Sequence, residues 1–208
     1  MFAESITFED AIEMTHLRGK LMQNSEEGKM MAILGLDSKT IDEACSQINE
    51  SHKTAYVASA NYNSAKQTVI AGNIEGIDIA RNLLPDIGAK RCIELNVSIA
   101  SHTNLMTDAA NEFNEALQKI NLSPPRHPII QNYTGEIETD ISSIKQNLFN
   151  QLTKPVLWTK TMDKISQSAS CLIEVGPKNI LCGLSKGYDL SSILYIADQN
   201  FKDKVQNI

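Results

Sequence analysis

Two side chains in this sequence have types and settings suited to proton and anion chemistry. His102 lies between two hydroxyl residues in VSIASHTNLM (Val97–Met106), where an alternating run gives way to a helical one. An imidazole near a helix N-terminus is biased toward its neutral, base-competent form. Ser101 or Thr103 can cap that helix, so capping does not itself require the histidine. A solvated histidine at the junction is the competing reading. Arg18 falls near the middle of the apolar arc of Phe8–Met22. A guanidinium there needs a partner, because an unpaired buried charge is costly. A nearby carboxylate or snorkelling to the surface would satisfy it, and so would a substrate carboxylate gripped through two parallel N–H···O bonds. Gln151 and the Asn61–Asn63 turn offer amides that, taken alone, are expected to satisfy backbone groups. The segment GLSKG (Gly183–Gly187) fits a nucleophile elbow in letters only. An elbow needs strand, sharp turn, then helix, whereas Ser185 is expected in the last turn of a helix with Gly187 as its cap.

The elements that position these residues follow from hydrophobic period. Phe8–Met22 reads as a helix with Phe8, Ala11, Ile12, Met14, Leu21 and Met22 on one arc. From Met30 the order becomes strand (MMAILGL), helix (Ile41, Ala44, Cys45 and Ile48 inward, Ser38 as N-cap), strands AYVASANYN and QTVIAG, helix Ile74–Ile87, and strand CIELNVSI. That order, βαββαβ, is a ferredoxin-like unit. A helix then runs from His102 to about Ile120 with Met106, Ala110, Phe113 and Leu117 on its inner stripe. Beyond it come a strand at PIIQNYTG, helices near Ile144–Leu152 and after Pro155, a buried strand SCLIEV, a short helix opened by Pro177, and a strand within YDLSSILYIADQ.

Composition narrows the classes. The 208 residues are 42% hydrophobic and 21% charged with a net charge of −6, which disfavours a nucleic-acid backbone as partner. The strands of the βαββαβ unit also lack the aromatic, basic pattern of RNA-binding sheets. No apolar run reaches membrane-spanning length, and MFAESITFED is acidic where a secretory leader would be basic. The four cysteines are scattered without C-x-x-C spacing, so reduced thiols in a cytoplasmic protein are expected.

Five blocks, RGKLMQ (Arg18–Gln23), NYNSAKQTVIAG (Asn61–Gly72), VSIASHTNLM, QLTKPVLWTK (Gln151–Lys160) and EVGPKNILCGLSK (Glu174–Lys186), together resemble the malonyl-CoA:acyl-carrier-protein transacylase family in order and spacing. The resemblance implies an α/β (α+β) fold. In it, a partial α/β-hydrolase-like large subdomain (1–29 and 99–208) carries an inserted ferredoxin-like subdomain (30–98). It implies transfer of a malonyl group from malonyl-CoA to the phosphopantetheine thiol of holo-acyl carrier protein in fatty acid biosynthesis, without cofactor or metal. His102 matches the general base, Gln151 the residue whose carbonyl orients it, and Arg18 the clamp on the malonyl carboxylate. Asn61 and Asn63 match a substrate-side turn. Ala100 stands where the family commonly has proline, and Lys178 where it commonly has glycine.

The family's G-Q-G loop and its G-H-S-L-G-E segment, with the serine nucleophile, precede the matched region and are not found in this sequence. The chain alone is therefore expected to be inactive. Two readings follow: the C-terminal portion of a malonyltransferase completed by a separate N-terminal fragment, or an inactive remnant that binds acyl carrier protein or CoA thioesters.

Overall fold

The computed structural model describes residues 2–206, which group into two compact units dividing between Trp158 and Thr159. In the first unit, α1 (Phe8–Gln23) opens with Thr7 Oγ1 accepting from the Asp10 N–H, a side-chain cap on one of the helix's free donors. Met14 and Met22 are buried, whereas Phe8 and Ile12 of the expected apolar arc are exposed. The reason is that α1 packs along α4, and the flank bearing Phe8 and Ile12 meets no such partner among the described residues.

The expected βαββαβ order is present as β1 (Lys29–Leu34), α2 (Ser38–Ser51), β2 (Val57–Ser64), β3 (Gln67–Gly72), α3 (Ile74–Asp86) and β4 (Arg91–Glu94). The antiparallel sheet has the order β2-β3-β1-β4, the ferredoxin-like arrangement. Asp37, rather than Ser38, caps α2 through Oδ1. Both faces of β1 are covered, which explains its continuous apolar run. Met31 and Ile33 pack with Ile41, Ile48, Ile77 and Leu84 of the helices, while Met30 and Ala32 pack on the other face with Ala60, Val69 and Ala100. β4 ends at Glu94 instead of running to Ile99, and Ile93 and Val97 are exposed. Alternation along CIELNVSI showed amphipathicity, but beyond Glu94 the described pairing is reduced to the Leu95 N–H on the Met30 carbonyl, the Gly28 N–H on the Ser98 carbonyl and a Glu27–Ile99 bridge.

A tight turn at His102 and one 3₁₀ turn (Asn104–Met106) lead into α4 (Thr107–Lys119), whose buried stripe of Ala110, Phe113 and Leu117 is the expected one. A two-residue ladder follows, β5 (Ile129–Ile130) with β6 (Ile137–Glu138), and then α5 (Ile141–Thr153). Met106, Phe113 and Leu117 close a core with Met14, Met22 and Leu152.

The second unit contains α6 (Trp158–Ser166, beginning at the boundary), β7 (Cys171–Glu174), α7 (Ile180–Leu184), β8 (Ser192–Tyr195) and α8 (Phe201–Gln206). β7 and β8 form a parallel pair. β7 is half-buried rather than buried, and Pro177 precedes α7, whose N-cap is Asn179. Ser185 is the C-cap of α7, buried and donating to the Leu181 carbonyl, with Gly187 at φ 104°. The expected last-turn position is off by one residue: Ser185 itself is the cap, and its hydroxyl is engaged by the preceding turn. Among the described residues no helix is long and apolar enough to cross a membrane, and no cluster of His, Cys, Asp or Glu is arranged to hold a metal ion.

Candidate active site

The site is built on the turn between β4 and α4. Thr103 is buried there; its hydroxyl donates to the Ala100 carbonyl and accepts weakly from the Leu105 N–H, tying off the turn. His102 takes φ 63°, a left-handed conformation uncommon outside glycine and more accessible to Asn, Asp and His than to bulkier residues. Such backbone persists only where neighbours hold it. Here the holding groups come from the end of α5. The His102 N–H donates to the Leu152 carbonyl at 3.0 Å, and the Gln151 carbonyl lies 2.6 Å from Nδ1. A carbonyl only accepts, so Nδ1 carries the proton and Nε2 keeps its lone pair, the tautomer a general base requires.

Burial holds the His102 imidazole below its ordinary value, the Gln151 bond opposes that shift, the charge of Arg18 adds to it, and a smaller backbone contribution from Lys154 opposes it. His102 is therefore neutral at pH 7. The Arg18 charge acting on His102 places the two residues, distant in sequence, within electrostatic reach of one another, although His102 does not line the cavity that Arg18 borders. Arg18, on α1, borders a mostly apolar cavity of about 250 Å³ with Ile6, Met14, Phe113, Leu117 and Leu148. Its Nε is buried without a hydrogen-bond partner, and no carboxylate pairs with it among the described residues. Burial lowers its pKa, but a guanidinium remains charged throughout the working range. The local carboxylate that would make Arg18 an ordinary structural cation is not there.

Gln151 meets His102 through its backbone and not its side chain. Asn61 lies on the outer edge of β2, bridged in parallel fashion to Val156: the Tyr62 N–H donates to the Val156 carbonyl, and the Val156 N–H to the Ala60 carbonyl, each at 2.9 Å. The bridge ties Asn61 to the segment that follows Gln151. Asn63 is half-buried two residues further on, and no hydrogen bond joins either asparagine to His102 or Arg18. Sequence reasoning missed Leu152, whose contribution is a main-chain carbonyl and leaves no side-chain signature. It also missed Tyr56, whose hydroxyl accepts from the Asn104 N–H at 3.4 Å beside the turn.

Residues 1–190 match the family model described as the acyl transferase domain. The chain is 40% identical over 185 residues to the malonyl CoA-acyl carrier protein transacylase of Salmonella typhimurium, an overlap covering 87% of this chain and 59% of that protein. Among solved structures it superposes on FabD from Acinetobacter baumannii with a TM-score of 0.93 at 36% identity, covering 99% of this chain and 66% of that one. It also superposes on a malonyl-transacylase solved in complex with its type II PKS acyl-carrier protein, with a TM-score of 0.90 at 35% identity, covering 99% and 68%. The chain spans about three-fifths of the length of the curated relatives it matches.

Proposed function

The chain belongs to the acyl transferase domain family, and from that premise we propose that it supplies the base and the substrate clamp for malonyl transfer from malonyl-CoA to the phosphopantetheine thiol of an acyl carrier protein. The observation that carries this reading is a carbonyl-oriented His102 within electrostatic reach of a half-buried Arg18 whose buried Nε has no hydrogen-bond partner.

In the proposed reaction His102 Nε2 takes the proton of a serine hydroxyl. The serine oxygen attacks the malonyl thioester carbonyl, and CoA leaves as its thiol once the tetrahedral intermediate collapses. The phosphopantetheine thiol, deprotonated by the same imidazole, then attacks the serine ester and restores the hydroxyl. Arg18 binds the free carboxylate of the malonyl group throughout, which selects malonyl over acetyl. The nucleophile belongs to the family's G-H-S-L-G-E segment, supplied from outside this sequence, and no cofactor is required. The absence of membrane-spanning helices among the described residues and the four unpaired cysteines favour a cytoplasmic setting.

The test is to incubate the chain with labelled malonyl-CoA and holo-acyl carrier protein, alone and mixed with a polypeptide carrying that segment. Transfer in the mixture alone supports the proposal. Binding of malonyl-CoA without transfer in either sample replaces it with a non-catalytic binding role.

A further inference from the structure

A second polar cluster lies on the helix-facing side of the ferredoxin-like sheet. Asp42 of α2 is half-buried and accepts from the Ser59 hydroxyl at 2.5 Å and from the Tyr62 hydroxyl at 3.1 Å to each carboxylate oxygen. Burial first, and the Asp42 charge second, push the Tyr62 phenol up to about 12, so it remains a donor. Two turns along α2, Asn49 binds both the N–H and the carbonyl of Val57 at 2.9 Å. The edge strand β2 is thus gripped from one helix face at its start and at its far end.

The far grip depends on an irregularity. Ser59 pairs with Ile70 and Tyr62 with Thr68, while Asn61 pairs with Val69 and the register shifts between Ser59 and Asn61. In a regular strand, residues three apart point to opposite faces. The extra residue at this bulge turns Ser59 and Tyr62 to the same face, where one carboxylate reaches both. The remainder of the bulge, Ala60, packs on the other face beside Ala100. Its carbonyl and the Tyr62 N–H make the two edge bonds to Val156. Val156 closes the segment whose Gln151 and Leu152 carbonyls hold His102.

We propose that Asp42 is a positioning residue for His102. By clamping Ser59 and Tyr62 it fixes the bulged edge of β2, which anchors Val156 and so the two carbonyls that orient the imidazole. Its importance for catalysis rests on the malonyl-transfer reading, but its test does not.

The test compares the full chain with Asp42→Ala and Asp42→Asn by NMR. It follows amide exchange at Tyr62 and Val156 and the titration of the His102 ring, assigned by its loss in His102→Gln. In Asp42→Ala the two amides exchange roughly tenfold faster or more as the edge opens locally. The His102 pKa moves up toward its ordinary value, because burial is the larger cause of its depression. Asp42→Asn keeps an oxygen acceptor for the hydroxyls and restores both signals. An unmoved His102 titration in a folded Asp42→Ala overturns the proposal and leaves Asp42 a fold residue. If Asp42→Ala does not fold, Tyr62→Phe, which removes one donor and no carboxylate, decides by the same two signals. Adding malonate to the same samples tests Arg18 separately: no response of its Nε–H refutes the transfer reading while the Asp42 result stands.

Discussion

Arg18→Met should stabilise the protein and abolish its response to malonate. The buried Nε–H of Arg18 has no acceptor, and a buried donor left unmade costs ~1–3 kcal/mol. Arg18 is only partly buried as a residue, so the lower end applies, about 1 kcal/mol. Met keeps an apolar stem at the cavity lined by Phe113, Leu117 and Leu148 and has no donor to satisfy. A gain of about 1 kcal/mol corresponds to a rise of about 2–4 °C in melting temperature for a chain of this size. Urea denaturation followed through the single tryptophan, Trp158, measures the same quantity near the boundary of the first unit. Malonate at ~100 times its dissociation constant stabilises a binding-competent fold by ~2.7 kcal/mol, and this increment should appear in the natural chain and vanish in Arg18→Met. A destabilised Arg18→Met would mean that the guanidinium is satisfied in the folded state. An unchanged malonate increment would mean that the carboxylate binds elsewhere. Either outcome refutes the reasoning.

The remaining expectations concern the base and its supports. Because burial depresses the His102 pKa, the unfolded chain takes up this proton at a higher pH than the folded chain. The group's contribution to stability is therefore complete above about pH 6.5 and is lost as the pH falls through the lower folded value. His102→Gln should flatten the acid side of a urea-midpoint profile, and an unaltered slope would show the imidazole to be solvated. Leu152 is fully buried against α1 and α4 residues, so Leu152→Ala should cost ~2–5 kcal/mol in the same denaturation assay; a loss under ~1 kcal/mol would contradict the packing. At Gly72 an added Cβ would overlap the Tyr56 carbonyl oxygen and lie 2.8 Å from the Val57 Cα. Both are backbone atoms that cannot swing aside, so Gly72→Ala should lower the melting temperature more than a typical ~1 kcal/mol substitution does.

The parts of the fold legible in the sequence were those in which one face had a single fate. Ile41, Ala44, Cys45 and Ile48 recur at helical spacing and are all buried in α2, and QTVIAG coincides with β3. Legibility failed where a pattern needed a partner. Ile93 and Val97 alternate as a strand would, but alternation carries no information about whether a neighbour covers that face, and both are exposed. Likewise Phe8 and Ile12 continue the arc of Met14 without being buried. At the site, side-chain chemistry drew attention to His102 and Arg18, while their setting is made of main chain: two carbonyls at the end of α5 and an edge bridge at Val156. The Asp42 cluster was out of reach for a different reason. Ser59 and Tyr62 are assigned to opposite faces by the period of a regular strand, and only the bulge brings them together.

The juxtaposition of a cation and a neutral imidazole is itself informative under the proposed reading. A structural arginine lowers its energy by finding a carboxylate, and among the described residues Arg18 has none. The field of Arg18 helps to keep His102 unprotonated. An incoming malonyl carboxylate would neutralise that field. The imidazole would then gain proton affinity at the moment substrate arrives, as the serine proton must be taken. By linkage, the same coupling makes carboxylate binding tighter when His102 is protonated. An acetyl group, lacking the second carboxylate, would neither fill the clamp nor raise the base. Under the proposed reading, selectivity and proton transfer would thus share a single electrostatic cause, for which an unpaired Arg18 in the free protein is the requirement.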